Sequence, residues 1–143
     1  MIKITMIPKD LSLSEIEVGQ SASFSRTWTE EDIINFSLLS GDNNPLHIDE
    51  EYAKTTPFKQ RLVHGMLVGS LCSQFVGMHI PGKRCLYLRQ SLVFKKPVFI
   101  GDTVDVTGTV IAKSESTSIL SISIVIKKEG MTVLEGDAQV QVL

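Results

Sequence analysis

Gly65-Met66-Leu67-Val68-Gly69-Ser70-Leu71-Cys72-Ser73-Gln74-Phe75-Val76-Gly77-Met78-His79 is the stretch on which the fold turns. Met66, Leu67, Val68, Leu71, Cys72, Phe75, Val76 and Met78 leave it almost no polar face. A helix apolar on nearly all sides, yet too short to span a bilayer, belongs inside the fold. Pro81-Gly82 ends it.

Downstream of this helix the chain is strongly β. Leu86, Leu88, Leu92 and Phe94 alternate along one predicted strand, and Val104, Val106 and Val110 along the next. Leu120, Ile122, Ile124 and Ile126 mark a third, and residues 133–143 a fourth. Gly101-Asp102, the polar patch 113–117 and Glu129-Gly130 supply the turns between them. No helical segment separates these late strands, which favours antiparallel pairing. One apolar helix with a long antiparallel sheet implies an α+β architecture in which the sheet curls around the helix. Upstream, residues 21–28 suit one early strand. Thr29 can cap a helix whose first turn holds Glu30, Glu31 and Asp32, where negative charge meets the helix dipole favourably. Ile33, Ile34, Phe36, Leu38 and Leu39 give that helix an apolar stripe, and Ser40-Gly41 stops it. Asp49-Glu50-Glu51 opens a short helix through Lys54.

At 143 residues and 43% hydrophobic, the chain is long enough for one domain, 1–143, with one core. Basic and acidic groups, 14 against 16, leave a net charge of −2, so there is no electrostatic footprint for nucleic acid and no polybasic membrane signal. Any anionic ligand must be held by a few local groups. The N-terminal ten residues lack the apolar core of a signal peptide. Cys72 and Cys85 have no metal-like spacing and read as free thiols in a reducing compartment. The expectation is a soluble cytoplasmic protein.

Between the two early helices, residues 41–47 concentrate unusual choices. Asp42 and His47 flank Asn44-Pro45. Proline fixes its own φ and pushes Asn44 towards an extended conformation, so carboxylate and imidazole can be held in one relation. Such a pair facing one cavity can grip a water molecule, one group accepting its proton while the other orients it or returns a proton to product. A turn residue at Asp42, an Asx turn at Asn44 and a capping role for His47 fit the same residues. His64-Gly65 then opens the apolar helix. Gly65 lets a ligand approach the first-turn amides, which with the dipole would stabilise negative charge on a carbonyl oxygen. Tight packing explains Gly65 equally, and packing or capping explains His64. Ser73 and Gln90 interrupt apolar faces, either as site residues or as hydrogen-bonded core groups.

The run Phe36-Ser37-Leu38-Leu39-Ser40-Gly41-Asp42-Asn43-Asn44-Pro45-Leu46-His47-Ile48-Asp49 resembles the signature of the MaoC-like, (R)-specific enoyl-CoA hydratases. The likeness continues through Val63-His64-Gly65-Met66-Leu67, Tyr87-Leu88-Arg89-Gln90-Ser91-Leu92 and residues 94–102, in order along most of the chain. The resemblance implies a hot-dog fold, usually a homodimer with its sheets joined. It also implies reversible addition of water across a trans-2-enoyl-CoA to give the (R)-3-hydroxyacyl-CoA, without metal or redox cofactor. Asp42 and His47 fall on the family's catalytic pair. Gly65 falls on the glycine whose amide binds the thioester oxygen, and Ser73 on a serine near it. Asn44 joins Gly65 and Ser73 as an expected substrate-binding residue. Lys59, Arg61, Lys83, Arg84, Lys95 and Lys96 are candidates for the coenzyme A phosphates. A thioesterase on the same fold, or an acyl-thioester-binding module without turnover, are the rivals. Acyl carrier protein could replace coenzyme A as carrier.

Overall fold

Strict alternation of β-branched residues builds the sheet in the computed structural model, which describes residues 6–143. Part of the expectation for the N-terminus falls on residues 1–5, outside the described residues. The strands are β1 (Ser21–Thr27), β2 (Cys85–Gln90), β3 (Val93–Phe94), β4 (Thr103–Ser114), β5 (Ile119–Lys128) and β6 (Met131–Val142). They form one sheet in the order β1-β4-β5-β6-β2, with β3 also on β6. Every pairing is antiparallel. Val104, Val106, Val110, Leu120, Ile122, Ile124, Ile126, Ala138, Val140 and Val142 turn inward and are buried, while the intervening side chains are more exposed.

Against this concave face lies α4 (Gly65–Met78). Its buried positions, Val68, Gly69, Leu71, Cys72, Phe75 and Val76, match helical spacing. A Cβ built on Gly108 of β4 would lie 2.3 Å from the Phe75 ring, so only glycine lets the strand accept that ring. The helix is covered on one side only. Met66, Ser70 and Ser73 form an exposed face, which departs from the burial on all sides that its composition predicts. Apolar composition reports what a face tolerates, and a single chain supplies one layer to cover it.

Two further differences have local causes. The predicted Leu86–Phe94 strand is two short strands lying end to end along β6. The Ser91 carbonyl intrudes where a Cβ on Gly136 would lie 1.8 Å away, and Ser91 exchanges hydrogen bonds with the Asp137 backbone at 2.9 Å. Cys85 and Tyr87 pack against the core, so the alternating Leu86 and Leu88 face outward, and a bulge follows between Tyr87 and Arg89. In α1 (Glu30–Ser40), Thr29 is the expected cap and with Asp32 forms a capping box, and Gly41 ends the helix at φ 78°. Only Ile33 and Ser37 of this helix are buried, one turn apart, whereas Leu38 and Leu39 are 76% and 86% exposed. The stripe that touches the sheet is narrower than the stripe of apolar residues.

Candidate active site

The segment after α1 is more ordered than a loop. Asn44 is extended at φ −56° and ψ 128°, as the next residue, a proline, requires, and caps α2 (Pro45–Ile48) through Oδ1, which accepts from Leu46 N at 3.0 Å. Pro45 occupies the first helical position, where a missing N–H costs nothing. Asp49 then caps α3 (Glu50–Thr55). His47 therefore projects from a helical turn pinned at both ends.

Its ring is oriented by the main chain. His47 Nδ1 lies 2.9 Å from the carbonyl oxygen of Leu62. A carbonyl only accepts, so Nδ1 carries the proton and the Nε2 lone pair of the neutral ring is left for chemistry. Asp42 is held through both ends. Its Oδ1 accepts from Asn44 N at 3.2 Å, and its carbonyl oxygen lies 2.8 Å from Ser37 Oγ and 3.0 Å from His64 Nε2. One side-chain ligand atom from each of Asp42, His47 and His64 lies within 4.8 Å of the other two. That separation is spanned by one water at hydrogen-bonding distance from each of two groups. The two imidazoles stack with centroids 3.9 Å apart and planes 25° from parallel. Their in-plane lone pairs therefore run side by side rather than converging, and one nitrogen of each ring faces a carbonyl, so the trio is a poor chelate.

His47 lines a cleft of about 320 Å³ with Gly65, whose amide is the first of α4. Phe58, Leu62, Val68, Phe94 and Pro97 make the cleft largely apolar, and Lys95 and Lys96 also line it. Phe94 packs onto Gly65 so closely that a Cβ there would lie 3.1 Å from the ring. An imidazole at one point of an apolar cleft, with a carboxylate behind it and the N-terminus of an apolar helix beside it, is an arrangement for polarising one functional group of an otherwise greasy ligand.

The family model of the MaoC-like domain matches residues 13–130. The chain belongs to the MaoC-like domain family. This MaoC-like chain is 44% identical over 128 residues to an (R)-specific enoyl-CoA hydratase of Rhodospirillum rubrum, covering 90% of this chain and 89% of that one. It is 40% identical over 132 residues to the (R)-specific enoyl-CoA hydratase of Aeromonas caviae, covering 92% and 98%. The solved structure of the A. caviae (R)-hydratase involved in PHA biosynthesis superposes with a TM-score of 0.87 at 41% identity, over 90% of this chain and 98% of that one. The unliganded R-hydratase PhaJ1 of Pseudomonas aeruginosa gives 0.90 at 35% identity, over 94% and 87%. The antiparallel sheet around a helix is thus the hot-dog fold of the R-hydratases.

Of the site residues expected from the MaoC-like sequence, the structure brings Asp42 to within 4.8 Å of His47, sets His47 and Gly65 in the lining of one cleft, and uses Asn44 as the cap of the turn that carries His47. Ser73 is not brought to the cleft. It sits eight residues beyond Gly65, about 12 Å along the axis, on the exposed face of α4. Among the candidate cations, Arg61 pairs with Glu30, Arg84 with Asp10 and Lys95 with Glu135. Lys96 Nζ faces the Met131 sulfur at 3.8 Å instead of a carboxylate. Sequence reasoning did not single out Ser37, the Leu62 carbonyl or Phe94. A buried serine between apolar helix positions was a legible signal for Ser37. A main-chain carbonyl carries none.

Proposed function

We propose that the chain adds water reversibly across trans-2-enoyl-CoA esters to give (R)-3-hydroxyacyl-CoA. The observation that carries this reading is the Asp42 and His47 pair, within bridging distance of one water, with His47 lining an apolar cleft that Gly65 also lines. The named activity of the relatives supports it. The thioester oxygen accepts a hydrogen bond from the Gly65 amide, which draws electrons out of the conjugated double bond. Water lies between Asp42 and His47. His47 Nε2 takes one of its protons as oxygen bonds to C3, and the displaced π electrons settle on the thioester oxygen as an enolate. The enolate collapses by taking that proton at C2. The Asp42 carboxylate orients the water and steadies the transient imidazolium. Protons and electrons balance without an external oxidant or reductant.

The chain works as a homodimer in this proposal. β2 is an edge strand whose outward Leu86 and Leu88 are about half exposed, and the open face of α4 with Met66 and Ser73 has no cover among the described residues. Continuing the sheet through a second copy removes an exposed apolar edge. Ser73 would then belong to the acyl end of the site and not to the thioester end. No described helix is long and apolar enough to cross a membrane. The free Cys72 and Cys85 suit work in the cytoplasm.

The test is incubation with crotonyl-CoA while monitoring both the absorbance of the conjugated thioester and free thiol. Loss of absorbance without thiol release, with (R)-3-hydroxybutyryl-CoA as product, is expected. Thiol release would make the protein a thioesterase, and binding without either signal a non-catalytic module.

A further inference from the structure

His64 touches each part of the proposed site. Its Nε2 lies 3.0 Å from the Asp42 carbonyl oxygen, its ring stacks on His47 at 3.9 Å, and it is the cap residue that hands the chain to Gly65. It is 2% exposed, and as N-cap it makes no side-chain hydrogen bond to its own helix. A cap residue that leaves the helix uncapped has its side chain committed elsewhere. From these contacts we infer that His64 is a positioning residue for the hydration, setting the Asp42 backbone and the His47 ring in register through one imidazole. The inference rests on the function proposed above.

Chemistry fixes the form of the ring. The Asp42 carbonyl accepts only, so Nε2–H is the donor and Nδ1 is the unprotonated nitrogen. Nδ1 is buried and has no hydrogen-bond partner among the described residues. Protonating it would place a cation with an orphaned N–H in a pocket closed by the edge of Phe36, with centroids 4.9 Å apart, and by His47. The titratable groups facing His64 are His47 and Asp42; burial pushes its pKa down and outweighs the hydrogen bond to Asp42 and the Asp42 charge, which push it up, while a charged His47 pushes it down. The consequence is a division of labour between two stacked imidazoles. His64 stays neutral, and His47 alone carries the proton between water and C2. A second cation at 3.9 Å would make the imidazolium of His47 harder to form.

Two substitutions separate the contacts. His64→Gln keeps a donor for the Asp42 carbonyl and loses the stack, and His64→Phe keeps the stack and loses the donor. With the folded fraction measured independently, each is expected to lower kcat for crotonyl-CoA by about 10- to 100-fold, with KM within about twofold, because misplacement of about 1 Å costs that much. Each should also shift the pH midpoint of kcat. A merely structural His64 would lower Tm and leave kcat and its pH profile at wild-type values, which overturns the inference. Imidazole ¹⁵N chemical shifts of the wild-type protein decide the matter without activity. His64 should remain a neutral Nε2–H tautomer as pH falls below the ordinary histidine value of 6.5, and the neutral His47 ring should be the Nδ1–H tautomer. A His64 that titrates at an ordinary pH, or an Nδ1–H tautomer, would sink the assignment even if the variants fail to fold. Wild-type protein inactive on enoyl-CoA but showing the expected shifts would instead reject the function and keep the register of the two rings.

Discussion

His47 Nδ1 sits 2.9 Å from the Leu62 carbonyl, and this one contact decides which nitrogen of the neutral ring keeps a free lone pair. Leu62 in turn donates its amide to the Leu46 carbonyl at 3.2 Å, so the turn that carries His47 and the strand-like segment ahead of α4 fix each other. The tautomer is set by backbone geometry rather than by another ionisable group, and it holds at any pH where the ring is neutral.

Asp42→Asn keeps an Oδ1 acceptor for the Asn44 amide and removes the charge. Its kcat should fall at least about 100-fold, as should that of His47→Gln, with Tm changed by only a few degrees. Steady-state kinetics with crotonyl-CoA beside thermal melts checks this. Near-normal turnover in either variant would remove the pair from the mechanism.

Gly65→Ala and Gly108→Ala should differ in kind. At Gly65 the new methyl meets the half-exposed Phe94 ring at 3.1 Å, which can swing away, so stability should change by less than about 1 kcal/mol while activity falls. At Gly108 it meets the buried Phe75 ring at 2.3 Å, and overpacking should cost about 1–3 kcal/mol or more. Denaturant unfolding of both variants, with activity on the folded fraction, separates the two.

Lys96 lines the cleft without a carboxylate partner. Lys96→Ala should raise KM for crotonyl-CoA by about two- to fivefold at low salt, the worth of one exposed charge pair, and less as salt rises. KM for crotonyl-pantetheine, which lacks the nucleotide phosphates, should not move. Equal effects on both substrates would mean that Lys96 shapes the cleft instead of meeting phosphate.

Acid should weaken the fold through two histidines. Burial lowers the pKa of both His64 and His79, whose ordinary value is 6.5, and Lys9 lowers that of His79 further. A folded-state pKa below the unfolded one means that the unfolded chain binds more protons as pH falls past about 6.5. Stability is therefore full above that pH and is lost progressively towards the lower folded-state values. His79 stacks on Phe24 at 4.9 Å, so His79→Phe should keep the packing and flatten the fall in Tm between pH 7.5 and 5. An unchanged slope would remove His79 from the account.

Burial drives the Cys72 thiol up to about 11 and raises that of Cys85 as well. Cys72, buried in α4, should not react appreciably with a disulfide reagent at pH 8 until the chain unfolds, whereas the partly exposed Cys85 is the faster of the two. Rapid labelling of Cys72 in the native protein would show that α4 opens on its own.

Local rules reach far in this chain. Thr29 with Asp32, Gly41, and the alternation of β4, β5 and β6 place α1 and the sheet without knowledge of anything distant, because capping, left-handed backbone and period-two burial act over a few residues. The Asp42, Asn44, Pro45 and His47 pattern marks the site for the same reason: proline and an Asx cap act on their neighbours. The sequence by itself thus determined α1, α4, the antiparallel sheet around α4 and the family, but not the helical turn α2 or the break between β2 and β3. The tertiary structure alone decided which apolar residues are covered. Leu38, Leu39, Leu86 and Leu88 obey the pattern and still face outward, since burial needs a partner surface and pattern cannot say where one ends. It also decided that His64 meets His47 and that the carbonyls of Leu62 and Asp42 orient them. Those contacts span 15 to 22 residues and use main-chain atoms that every residue carries, so no side-chain pattern could encode them.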